Sequence, residues 1–191
     1  MKIIYARDIG YSCIIPVKGK EGLLSWQYSV IIIIEFINNG GLGMAEQTIV
    51  NKKADSFEKY LKDNNLNFFT RFDKGDENQT VLFRSNIQVE GQQLPVNVIT
   101  DRTIYTIIRV FVGQHIIKEN NRADFESFMN QMNRSYKVFK YAATDDGDLF
   151  LDACMPSTQE SFDPKVVRIV LDVVVDHLNH EYKKVMQLAW R

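Results

Sequence analysis

Four carboxylates, Asp145, Asp146, Asp148 and Asp152, crowd into one short segment of the 191-residue chain. Oxygen-rich clusters of this kind are what a hard cation such as calcium binds. The spacing does not make an EF-hand loop, because no Glu closes it twelve positions on and the segment lies between two predicted strands. Thr144-Asp145-Asp146-Gly147 has instead the composition of a hairpin turn, in which Gly takes positive φ and Asp caps its own backbone. A second candidate is His177-Leu178-Asn179-His180-Glu181. That order is neither of the helical zinc patterns H-E-x-x-H and H-x-x-E-H, and an i, i+3 pair supplies two ligands where structural zinc takes four. The pair reads as a solvated helix face, with His180 beside Asp176 and Lys184.

The other reactive residue types stand alone. Cys13 and Cys154 are far apart, with no C-x-x-C or Cys/His cluster, a usage that suits a reducing cytoplasm. Cys154 reads as a packing or surface thiol. Ser157, Thr158 and Ser161 form a loop without a nucleophile elbow. His115 is a lone histidine at a strand end, and Gly40-Gly41-Leu42-Gly43 lacks the Lys-Ser/Thr of a P-loop. No catalytic, cofactor-binding or metal-binding residue is assigned. The enzymatic alternative is one of unrecognised class, using the acidic loop residues or the His177/His180 pair, and it requires a deep pocket in which titratable groups converge.

Composition narrows the classes further. Apolar residues make up 45% of the chain and charged residues 25%, values typical of globular proteins. Lys and Arg number 23 against 24 Asp and Glu, a net charge of -1. With no cationic excess to neutralise phosphates, no nucleic-acid partner is expected; Phe68, Phe69 and Phe72 read as core rather than as base-stacking residues. The run Val30–Ile34 stops at Glu35, short of the roughly 20 apolar residues of a spanning helix, so no membrane partner is expected either. The opening Met1–Ala6 resembles a signal peptide but meets Arg7 and Asp8 at once.

The elements that must hold these residues fall into two zones. Residues 1–43 contain six of the ten glycines and no steady period apart from the isoleucine run. They read as an atypical extension, an upstream region translated in frame with Met44 as the natural start, or else as a genuine N-terminal strand and linker. Residues 44–191 read as one α+β domain. Asp55 with Glu58 resembles a capping box, and Phe57, Tyr60 and Leu61 supply the stripe of a first helix that ends at Asn64-Asn65. Phe68–Phe72 and Thr80–Val89 follow as strands, the second with Val81, Phe83, Ile87 and Val89 alternating inward. Glu90-Gly91-Gln92 turns into a strand carrying Leu94, Val96 and Val98. Its Pro95 predicts an edge or at least an exposed position. Asp101-Arg102 leads into Thr103–Val112, apolar on both faces: Ile104, Ile108, Val110 and Val112 on one, Tyr105, Ile107, Arg109 and Phe111 on the other.

Asn121 is the predicted N-cap of a second helix with Phe125, Phe128, Met129 and Met132 at helical spacing. Tyr136–Ala143 and Leu149–Met155 form the hairpin around the acidic turn. Asp163 caps and Pro164 opens a long last helix, with Phe162 stapling onto Val167 and a stripe running from Val167 to Ala189. The fold class is α+β, a single antiparallel sheet of five to six strands packed by three helices in the order α-ββββ-α-ββ-α.

This layout resembles the YbjN-domain family, also labelled bacterial sensory transduction regulators, over roughly Met44 to Arg191. The likeness is carried by Phe125-Glu126-Ser127-Phe128-Met129-Asn130, by Asp145-Asp146-Gly147-Asp148-Leu149-Phe150-Leu151, and by the long helix after Phe162-Asp163-Pro164. It implies a fold similar to that of type III secretion chaperones and protein binding without an established activity or cofactor. The expectation is a cytoplasmic bacterial interaction module, chaperone-like or regulatory, whose partner is another protein or, as a homodimer, itself. Tyr105, Ile107, Arg109 and Phe111 are the expected contact residues, since aromatic anchors with an Arg are enriched at hot spots. The alternative is that this face is covered by the chain's own helices or by residues 1–43.

Overall fold

The computed structural model describes residues 50–191. The readings of residues 1–43 and of Met44 as a start lie outside the described residues. The order of elements is α1 (Lys52–Asp63), β1 (Thr70–Asp73), β2 (Val81–Val89), β3 (Gln92–Thr100), β4 (Tyr105–Gly113), α2 (Arg122–Ser135), β5 (Phe139–Ala143), β6 (Leu149–Pro156) and α3 (Pro164–Ala189). The strands form one six-stranded antiparallel sheet, ordered β1-β2-β3-β4-β6-β5. The expected α+β class and element order are both present.

Alternation decides which face of the sheet is buried. Val81, Phe83, Ile87 and Val89 of β2 point inward with Leu94, Val96 and Val98 of β3 and Ile108, Val110 and Val112 of β4. They share one core with Phe57 of α1, Phe125, Phe128 and Met132 of α2, and Val167, Leu171, Val174, Leu178 and Val185 of α3. Each helix buries one stripe of its surface in this core. At the start of α3 the Asp163 carboxylate accepts from Lys165 N–H, and Pro164 fills the position where a missing N–H costs least.

Four local expectations change. α1 begins at Lys52 rather than near Asp55, because Asn51 is the N-cap: its Oδ1 accepts from Ala54 N at 3.1 Å. Asp55 and Glu58 instead bind Arg71 of β1, at 3.2 and 2.6 Å. β1 starts at Thr70, after Phe68 and Phe69; the Phe69 ring lies edge-on to Phe57 at 5.8 Å. Of the three phenylalanines read as core only Phe69 packs there, because Phe68 and Phe72 are exposed. Asn121 stands at the N-cap of α2, as expected, but its side chain makes no capping bond there. Its buried amide ties the preceding loop to the end of α3, donating to the carbonyls of Ile116 at 3.0 Å and Leu188 at 3.2 Å. β3 is an interior strand, and the second arm of the Pro95 reading holds: that residue is exposed, pairs with Asn86 of β2, and lies just past the end of the β3–β4 ladder, where no N–H is called for.

Candidate protein-docking face

The outward side chains of the sheet form rows that run across the strands. One row is apolar: Phe72, Leu82, Ile99, Ile107 and Cys154 lie in register from β1 to β6. The next is polar and crosses all six strands: Thr70, Arg84, Asn97, Arg109, Asp152 and Lys140. Beyond it, Phe111 pairs with Phe150 and Phe150 with Ala142. Tyr105, Ile107, Arg109 and Phe111 do share this face, alternating along β4, with Tyr105 and Phe111 the more exposed. The three helices pack against the opposite face, so among the described residues no helix covers this one.

Electrostatics holds the face in shape. Arg109 Nε and Nη2 donate to the two carboxylate oxygens of Asp152 at 2.8 and 2.7 Å, a bidentate pair. That carboxylate holds the guanidinium pKa above its ordinary value, with partial burial opposing. The Arg109 guanidinium also lies 4.4 Å from the centroid of Phe150, and Arg84 lies 4.3 Å from that of Phe72. Unlike Arg109, Arg84 has no carboxylate partner among the described residues. Between Phe68 and Phe111 runs a shallow groove of about 490 Å³, floored by Arg84, Asn86, Pro95 and Asn97.

A buried lysine anchors the strand that carries the four expected contact residues. Lys53, on the first turn of α1 and wholly inaccessible, donates through Nζ to the carbonyls of Thr103 at 2.8 Å and Tyr105 at 2.7 Å. Burial depresses its pKa, while the charges of Asp101 and Cys154 oppose the shift. The Asp101 carboxylate turns the chain into β4 by accepting from Thr103 N–H at 2.8 Å. The turn into β4 is thus held at Thr103 and at Tyr105 itself. Lys53 escaped the sequence reading because an amphipathic helix pattern gives no reason to bury a cation.

The other chemistry-bearing residues do not converge. Asp145 and Asp146 make the turn between β5 and β6, as expected, while Asp148 accepts from His115 N–H at 2.8 Å and Asp152 belongs to the sheet. His115 Nδ1 contacts the Asp146 carbonyl at 3.0 Å, and that contact, followed by the Asp148 charge, raises its pKa. His177 and His180 part company. His180 is exposed as expected, but His177 is buried, which corrects the reading of a solvated pair. The His177 ring sits 4.4 Å from the centroids of both Tyr136 and Phe139, and Nε2 meets Tyr141 Oη at 3.0 Å. Burial pushes its pKa down to about 4, with nearby His180 adding to the shift and Asp176 opposing it. No group of three or more metal-ligating side chains occurs among the described residues. Cys154 is an exposed free thiol whose pKa burial raises.

A second open groove, of about 890 Å³, lies between the β2–β3 turn and the end of α3, where Lys183 pairs with Glu90 at 2.9 Å. No described helix is long and apolar enough to cross a membrane.

Compared with known proteins, the chain matches no family model and no curated relative.

Proposed function

We propose that this chain is a non-enzymatic protein-interaction module, chaperone-like or regulatory, that docks another protein on the open face of its sheet. The observation that carries the reading is the exposure of Tyr105 and Phe111 beside Ile107 and a doubly bonded Arg109, on a face that no described helix covers. Aromatic and Arg side chains gathered at the centre of a patch supply most of the energy of a protein interface. A rigid sheet presents them without the ordering cost that a loop would incur. Kinship with the YbjN-domain family is part of the proposal and is supported by the order α-ββββ-α-ββ-α alone. A bacterial cytoplasm is the compartment proposed; the unpaired thiol of Cys154 is compatible with it.

The test is Ile107→Asp. Ile107 is half-buried among outward side chains, so the variant keeps the circular dichroism spectrum and melting behaviour of the parent. A carboxylate at the centre of the patch lowers affinity for a captured partner by about 30-fold or more, as loss of a hot spot does. Unfolding of the variant would instead assign Ile107 to the core, and unchanged capture would remove the face from consideration.

A further inference from the structure

We infer that the occupant of the open face is a second copy of this chain, related by a two-fold axis running along the strands between β3 and β4. The inference rests on the docking reading above and names its partner. Its ground is the order of side chains in the polar row, which from β1 to β5 reads Thr70, Arg84, Asn97, Arg109, Asp152, Lys140. Two identical faces meet about a two-fold axis lying in the interface, and two directions of that axis keep the packed sheets aligned, across the strands or along them. An axis across the strands lays every strand on its own copy. Where that axis passes through the polar row, Arg84 opposes Arg84 and Arg109 opposes Arg109, a like-charge juxtaposition that costs energy.

An axis along the strands reverses the strand order instead. β2 lies over β6 of the second copy, and β3 over β4. Arg84, which lacks a carboxylate partner among the described residues, then meets Asp152 of the second copy, already paired with its own Arg109 at 2.7 Å. Asn97 meets Arg109, offering a carbonyl oxygen to a guanidinium. No position in the row opposes a like charge. The same operation lays the apolar row on itself, Ile99 over Ile107 and Leu82 over Cys154. The strands stay close to parallel with those they cover, which is the aligned packing of two sheets about 10 Å apart.

The area is sufficient and modest. Six strands about 4.8 Å apart, with outward rows about 7 Å apart, give a footprint of roughly 500 Å² per copy. The pair buries about 1,000 Å², near the lower bound for a specific interface, so the dimer is concentration-dependent. A net charge of -1 per chain puts little repulsion in the way of association.

Sedimentation of the full-length chain over a range from about 1 μM to about 1 mM tests the inference. The parent passes from monomer to dimer mass, and Arg84→Asp and Asp152→Arg each weaken the dimer about tenfold or more. Mixed together, these two variants associate again, because both contacts across the axis of the heterodimer reunite Asp with Arg. If Asp152→Arg fails to fold, Ile99→Lys mixed with Ile107→Asp makes the same test in the apolar row. A parent that stays monomeric throughout, or paired variants that stay monomeric when mixed, overturns the second copy. If Ile107→Asp still abolishes capture of a different protein, the docking reading survives that outcome. A dimer indifferent to all four substitutions, with capture equally indifferent to Ile107→Asp, overturns both.

Discussion

The side-chain amide of Asn133 closes the free edge of β5 as a further strand would. Its Nδ2 donates to the Tyr141 carbonyl at 3.0 Å, and its Oδ1 accepts from the Tyr141 N–H at 2.7 Å. Lys140 reinforces the arrangement by donating to the carbonyls of Asn133 and Tyr136. An open edge is a template for strand addition, and here its central residue is already satisfied by α2. At the other edge, β1 has only four residues, and Arg71 is held there by Asp55, Glu58 and Asp73. Both edges of the sheet are thereby blunted against strand addition.

Asn133→Ala removes both bonds at once and leaves the Tyr141 backbone unpaired. The variant is expected to lose about 1–3 kcal/mol in urea unfolding, and its Tyr141 amide to exchange hydrogen faster. Unaltered exchange at Tyr141 would show that water replaces the Asn133 amide without cost.

His177 makes stability depend on pH in a defined direction. Its folded pKa of about 4 lies below the ordinary 6.5, so between these values the unfolded chain binds the proton and the folded one does not. The neutral-histidine contribution is complete above about pH 6.5 and declines as pH falls toward 4, by up to roughly 3 kcal/mol. His177→Gln keeps a hydrogen-bonding partner for Tyr141 and has nothing to titrate. The difference in unfolding free energy between parent and variant therefore shrinks or reverses from pH 7 to pH 4.5; a constant difference would show that His177 titrates normally in the folded state.

Gly147 holds the acidic hairpin against the loop that follows β4. It has φ +86, and a Cβ there would lie 2.2 Å from the Ile117 carbonyl oxygen, while Ile117 N donates back to the Gly147 carbonyl at 3.0 Å. Gly147→Ala meets both the left-handed backbone and the carbonyl. Thermal unfolding should record a loss of at least about 2 kcal/mol, whereas Gly75→Ala, with nothing near its Cβ, costs less.

Lys53 offers a comparison of two truncations. Lys53→Ala leaves the Thr103 and Tyr105 carbonyls unsatisfied and opens a void, with an expected cost of about 3–5 kcal/mol. Lys53→Met leaves the same two carbonyls unsatisfied but fills the void, so it is the milder of the two. Equal losses in chemical denaturation would mean that packing contributes nothing at this site.

Much of the fold was legible because the signals are local. Alternation at Val81-Phe83-Ile87-Val89 assigns a face with no knowledge of the partner strand, since successive side chains on a strand point to opposite sides. Asp163-Pro164 starts a helix through its own backbone, and Asp146-Gly147 turns a hairpin. The four expected contact residues of β4 share a face for the same reason. The members of that face drawn from other strands did not announce themselves: Leu82 and Ile99 join Ile107 only through the pairing of β2, β3 and β4.

The sequence by itself determined the kinds of element, their order and the sidedness of each strand, because those depend on neighbours a few residues apart. Tertiary structure alone decided that β4 pairs with β6, which brings Asp152 to Arg109 across 43 positions and makes the polar row continuous. It also decided that Tyr136, Phe139 and Tyr141 close over His177, and that α1 lays an ammonium on the turn into β4. Histidine and lysine each have a solvated and a buried solution, and only the groups that pack around them from distant parts of the chain select between the two.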